Sequence, residues 1–493
     1  MSQHGGLLAF ATRYAGTHAA PALRRHLAAP EAIGIAIVAL TSGSLIAAQD
    51  IVGLYLCLSF IGAALILFDF RVGVVLIILL LPISGSTVFP HEILGIRGLN
   101  PLNILLLATL GAFMLTAIFD GSLRMFLPPA LLWLYILPIL AGGIVGAGNA
   151  GNMLPGFYDF GLTSFNEPVG YLRDMIVKPL LIVVFALLVA AAVARSKRPE
   201  LFLIPAFFSI WIMGGLVVAY VTASGSSLRF LSQSTAREFL TPLGMHANGF
   251  GQLYTIAYGL LLFTWGAARQ YSVRVLLFTS MLLVAGAVIL TFSRAAFVGI
   301  VSVNLIYLLH KRNTRATVFV SMLAAAGLFA LPDAVYDRLS MGFGSGLNVI
   351  TAGRLDGLWL PLLPELLTNP LSGNGIGSLL WSQTMRTAGG ASVLPVTHPH
   401  SAYLETLLDV GFVGFSMFAA YGYLIWRSFW RLNRSAELNP LMRGFYAGAA
   451  VALISLLLTN LVGGSFVPRP EHFYLWLAIG CMYGQLRKTE ARQ

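Results

Sequence analysis

The sequence predicts an all-α polytopic membrane protein, with about 12–14 transmembrane helices and one large outward-facing loop carrying short helices. Three observations predict it. Hydrophobic residues are 57% of the 493 and charged residues only 10%, with a mean hydropathy of +0.82; a soluble chain has too little polar surface to cover so much apolar area. The apolar residues fall into separate runs of about 17–25, the length that crosses a bilayer as a helix. The basic residues sit in short connectors between those runs, as charges that set orientation do.

The expected spans are 32–48, 51–68, 70–83, 102–119, 126–147, 175–194, 201–222, 248–267, 274–291, 296–310, 316–332, 402–426, 444–464 and 471–486. Arg13, Arg24 and Arg25 precede the first, which lacks a small-residue cleavage site and reads as a retained helix. Three regions follow: a bundle of about eleven spans over 1–332, a polar segment over 333–401, and C-terminal helices over 402–493. No repeat of fixed period is visible.

The net charge of +11 does not point to nucleic acid, because the cations form neither tails nor aromatic-interleaved patches. Cys57 and Cys481 lie inside expected spans and offer neither a disulfide framework nor a metal cluster. Placing the N-terminus in the cytoplasm puts most of the 30 Lys and Arg inside. The clearest connectors are Arg195-Ser196-Lys197-Arg198 and Lys311-Arg312-Asn313-Thr314-Arg315. An even number of spans then leaves both termini inside. The outward exceptions are Arg97, Arg173, Lys178, Arg229, Arg237, Arg294, Arg338, Arg354, Arg386 and Arg469. They oppose the usual bias, so some should hold an anion, while others are exposed loop charges.

Arg294 follows Ser293 between two apolar runs with almost no loop. A helix starting near Ser293, with that serine as N-cap, would set a guanidinium beside free backbone N–H donors, a phosphate-binding arrangement. A structural arginine reaching the interface is the alternative. Arg173 sits beside Asp174, so an anion site with Lys178 and a local ion pair are both open. Thr397-His398-Pro399-His400-Ser401-Ala402-Tyr403-Leu404-Glu405 opens a span, with His400 expected in the first turn. A neutral imidazole there can accept a proton from a hydroxyl or orient it; a satisfied interface histidine is the plain reading. His398 is a second ligand or a bystander. Glu405 and Asp409 share another face at i and i+4.

Two absences narrow the chemistry. No Asp-x-Asp pair is present, against a metal-dependent nucleotide-sugar transferase. Mid-span charges are scarce, against an ion-coupled carrier. The glycines of Asn369-Pro370-Leu371-Ser372-Gly373-Asn374-Gly375-Ile376-Gly377 lack the Lys-Ser/Thr of a phosphate loop and read as turn-formers.

Ser293-Arg294, Gly353-Arg354 to Trp359, the glycine segment at 369–377, and His398-Pro399-His400-Ser401-Ala402-Tyr403-Leu404 with Gly411 and Gly414 together resemble the O-antigen ligase and polysaccharide polymerase superfamily. The resemblance covers roughly 240–415. It implies an inner-membrane enzyme, active on the periplasmic side, that moves a glycan from an undecaprenyl-pyrophosphate carrier to an acceptor hydroxyl of a glycan or of lipid A-core. It implies no cofactor and no obligatory metal. By carry-over His400 is the catalytic base or orienting group. Arg173 and Arg294 hold the pyrophosphate, with Arg354 as helper, and His398, Tyr403 and Glu405 line the substrate site. Gly244-Met245-His246-Ala247-Asn248-Gly249-Phe250 resembles a His/Asn-containing family segment at a helix start, with a structural or acceptor-side role. Single displacement would invert the sugar. Ligation, polymerisation and a flippase for lipid-linked sugars remain the competing readings.

Overall fold

A computed structural model describes residues 40–48, 50–93, 96–97, 100–121, 126–311, 318, 322, 332–340, 344 and 346–490. The expected span 316–332 lies almost wholly outside the described residues, as does the first part of 32–48.

The elements used below are helices α1 (Ile51–Phe68) and α2 (Phe70–Leu80), a short antiparallel pair β1 (Glu92–Ile93) and β2 (Ile96–Arg97), and α3 (Pro101–Phe119). They are followed by α4 (Pro129–Asn152) and α5 (Pro168–Arg195), then α6 (Leu203–Ala223), α7 (Ala247–Ala267), α8 (Tyr271–Thr291), α9 (Arg294–Lys311), α10 (Ala402–Asn433), α11 (Pro440–Thr459) and α12 (Phe473–Glu490). Among the described residues, seven helices are long and apolar enough to cross a membrane, with three shorter apolar helices beside them. The chain is an all-α multi-pass membrane protein, as its apolar runs require.

Chain contacts divide it into two units. In the first, residues 1–77 with 90–121, α1, α2 and α3 meet closely. A side chain at Gly73 would lie 2.0 Å from Thr109 Oγ1, and Phe70 meets Phe113 edge to face at 5.4 Å.

The second unit, 78–89 with 122–493, carries the site. Its helices pack through small residues at i and i+4. Gly444 and Gly448 of α11 bring that helix onto α7, where an added Cβ would stand 2.6 Å from Phe263 O and from Gly259 O. Gly480 and Gly484 of α12 do the same on α5, 2.4 Å from Ala186 O and 2.5 Å from Ala190 O. Hydrocarbon tails are as apolar as leucine, so close backbone approach is what favours helix pairing in lipid.

One helix is broken. Gly411, inside α10, has φ 66 and ψ −172, a left-handed conformation open to glycine. Unpaired backbone groups are costly away from water, and the glycine segment supplies partners. Phe412 N–H donates to Pro370 O at 2.8 Å and Val413 N–H to Leu371 O at 3.2 Å; Asn374 and Gly375 N–H donate to Leu408 and Asp409 carbonyls at 2.7 and 2.9 Å. A Cβ at Gly373 would fall 2.5 Å from Asp409 O. The glycines therefore permit backbone-to-backbone docking in addition to turning.

Candidate active site

The segment before α10 sets two imidazoles side by side. His400 has φ 56, and α10 begins after the Ser401 cap, so His400 lies before the helix and not in its first turn. The left-handed step, which histidine tolerates better than most side chains, follows Pro399, whose carbonyl accepts the Trp359 Nε1–H at 2.8 Å. Ala402 N–H donates to Asn460 O at 3.0 Å, tying the start of α10 to the loop after α11. The rings of His398 and His400 then meet at 4.2 Å between centroids, inclined by 62°.

Both histidines line a cavity of about 280 Å³ with Arg469, Glu471, His246, Asn248 and Gln252. The α7 residues arrive there because His246 is the N-cap of α7, its Nδ1 accepting the Asn248 N–H at 3.0 Å. Arg469 is held from behind: its guanidinium donates to Glu405 Oε1 at 3.1 Å, and Ser465 Oγ donates to the same oxygen at 3.4 Å. Glu405 itself is buried, and its Oε2 has no partner among the described residues. Burial pushes the His398 ring well below the ordinary imidazole value, helped by the positive charge of Arg469 and by His400, His246 and Arg354. His398 is thus a neutral imidazole at physiological pH, able to accept a proton or a hydrogen bond.

The remaining expected residues are not part of this cavity's lining. Arg354 donates to Val462 O at 2.9 Å, so it braces the loop that forms one wall. Arg294 donates to Ile350 O at 3.1 Å, and its neighbours Ala295 and Ala296 line the cavity. Ser293 does not cap α9 with its hydroxyl. Its carbonyl accepts Phe297 N–H at 3.2 Å, while its Oγ, packed against Gly251, has no partner among the described residues. Tyr403 donates to Leu457 O at 2.9 Å and borders a separate apolar cavity of about 500 Å³. Arg173 is half-exposed and paired with Asp174 at 2.9 Å; it does not line the histidine cavity. Lys178 joins the same carboxylate at 2.7 Å, so the local ion pair that the sequence left open is formed.

Arg469 stands in the sequence only as one of ten outward cations, and neither Gln252 nor Glu471 is marked by any motif. A signal existed in Val467-Pro468-Arg469-Pro470-Glu471-His472: an arginine between two prolines, then a carboxylate, between two apolar runs. Among the described residues no group of three or more His, Cys, Asp or Glu is placed to hold a metal ion.

Fold and site define a multi-pass helical membrane protein with a histidine- and arginine-lined cavity at the entry to a broken helix. Residues 279–419 match the family model described as O-antigen ligase. That match supports a likeness to the O-antigen ligase superfamily through this segment, under a third of the chain. The match runs from α8 into α10 and contains Arg294, Arg354, His398, His400 and Glu405, whereas His246 and Arg469 lie outside it. No curated protein matches the chain.

Proposed function

We propose that this protein transfers a glycan from an undecaprenyl-pyrophosphate carrier to an acceptor hydroxyl, at the periplasmic face of the inner membrane, by ligation to lipid A-core or by polymerisation. The observation that carries the reading is the meeting of His398, His400 and Arg469 in one cavity, the two histidines lying within the segment that matches the O-antigen ligase family.

The acceptor oxygen attacks the anomeric carbon as the bond from that carbon to the pyrophosphate oxygen breaks, and the bonding electrons leave with the pyrophosphate. The hydroxyl proton passes to the imidazole of His400, with neutral His398 beside it to orient the hydroxyl. General base assistance of this kind contributes about 10²–10⁴ in rate. Negative charge accumulates on the leaving group, where a fixed guanidinium stabilises it better than mobile water does; Arg469, held by Glu405, has that position. Arg294 and Arg354 flank the cavity as further pyrophosphate contacts. Arg173 belongs to this reading through the family resemblance alone. A single displacement inverts the sugar, and no residue here is asked to supply a metal or cofactor.

The test is glycan assembly in a deletion strain complemented with wild-type or His400→Ala protein at matched membrane levels. Lipid-linked glycan that accumulates unextended and unligated in the His400→Ala strain is the expected result. Normal glycan assembly would reduce His400 to an interface histidine and return the flippase reading.

A further inference from the structure

We infer that the part of the cavity built by His246, Asn248, Gln252 and Glu471 is a subsite for a neutral sugar ring, separate in chemistry from the cationic part built by His398, His400 and Arg469. The inference rests on the transferase reading above and deepens it.

The argument is one of unspent hydrogen-bonding capacity. His246 Nδ1 already accepts the Asn248 N–H, so the neutral ring carries its proton on Nε2 and offers a donor. Gln252 donates from Nε2 to Asn460 Oδ1 at 2.6 Å, which fixes the amide and leaves Oε1 as an acceptor. Asn248 contributes a side-chain amide with both capacities, and Glu471 contributes a carboxylate; both line the cavity. Such a mixture suits sugar hydroxyls, each of which donates and accepts. It does not suit a diphosphate, whose oxygens only accept and would be repelled by Glu471. The pyrophosphate is thereby directed to Arg469 and the histidines, and the sugar to α7.

Space supports the same division. Gly249 lies between Asn248 and Gln252 on α7, and a Cβ there would stand 3.9 Å from Glu471 Oε2. Gly463, on the facing loop, has nothing within 4 Å of an added Cβ. Both glycines line the cavity, and their missing side chains leave room for a ring between α7 and the loop.

The experiment uses purified full-length protein in nanodiscs, with donor and acceptor extracted from the deletion strain. Free monosaccharides (neutral hexoses, 6-deoxyhexoses and N-acetylhexosamines) serve as competing probes. One of them is expected to inhibit the wild-type protein. Glu471→Gln, which keeps shape and removes the charged acceptor, and Gly249→Val, which fills the space, should each weaken that inhibition about 10-fold or more. Thermal melting of each variant checks that the fold is retained. Competition with the acceptor assigns the subsite to the acceptor sugar, and competition with the donor assigns it to the donor sugar; either supports the subsite. Inhibition that is unchanged in both folded variants, or absent for every monosaccharide, overturns it. If the wild-type protein forms no product, the transferase reading fails on its own. Monosaccharide binding to wild-type and Glu471→Gln protein, followed by saturation-transfer NMR, then still decides the subsite.

Discussion

Ser378 Oγ donates to Asp409 Oδ1 at 2.7 Å across 31 residues of sequence. The Ser378 and Gly377 N–H groups donate to the same carboxylate at 3.0 and 3.1 Å. One buried aspartate of α10 thus holds the glycine segment in the break of its own helix. Asp409→Ala leaves three donors without a partner and should lower stability by about 2–5 kcal/mol, read as a drop in melting temperature of the purified protein. Ser378→Ala removes one donor and should cost less. Equal melting of the Asp409→Ala and wild-type proteins would show that the segment stays in place without it.

Gly411→Ala should be as damaging as its small volume change is mild. The backbone at φ 66 and ψ −172 belongs to a region essentially confined to glycine and costs a side-chain-bearing residue about 1–3 kcal/mol, and the new Cβ would meet Leu371 O at 2.4 Å. Gly422→Ala, in regular helix with nothing within 4 Å of the added Cβ, should be neutral or stabilise by up to about 1 kcal/mol. Monodisperse yield and melting of the two variants compare a glycine required by geometry with one that is not.

Arg469→Lys should lose most transfer activity, because an ammonium cannot reproduce the fork that contacts Glu405 and phosphate together. Glu405→Gln keeps the shape and removes the charge behind Arg469, so the KM for the lipid-linked donor should rise more than kcat falls. A Glu405→Gln enzyme with an unchanged donor KM would separate Glu405 from the anion site.

The pH dependence follows from His398. Its pKa is depressed by burial and by nearby positive charge, Arg469 first. Between that depressed value and the ordinary imidazole value near about 6.5, the unfolded chain binds a proton at this ring and the folded chain does not. Stability therefore rises with pH through that window, and the loss begins as pH falls below the unfolded value. If transfer needs a neutral His398, the acidic limb of the rate profile lies below about pH 6.5. Arg469→Gln should move the limb of the residual, normalised activity upward, though not fully, since burial is the larger cause. A limb that does not move would assign it to another group.

Much of this protein was legible in the residues themselves. The expected spans 51–68 and 248–267 fall on α1 and α7, and 274–291 lies within α8, because long apolar runs satisfy their backbone only as helices in lipid. The segment from Thr397 to Glu405 could be singled out because polar groups at the mouth of a span are costly and conspicuous. Tertiary structure decided the rest. His400 is set outside α10 by a left-handed turn that neighbouring contacts hold, and helical periodicity does not register such a step. Arg469, 69 positions beyond His400 in the sequence, reaches the same cavity because α11 returns the chain to the start of α10 through the Asn460–Ala402 bond. Glu405, expected to line the substrate site, is buried and holds Arg469. Local pattern determines which segments enter the bilayer, since that free energy is summed residue by residue along one helix. Which side chains share a cavity depends on the packing of several helices, and no single segment encodes it.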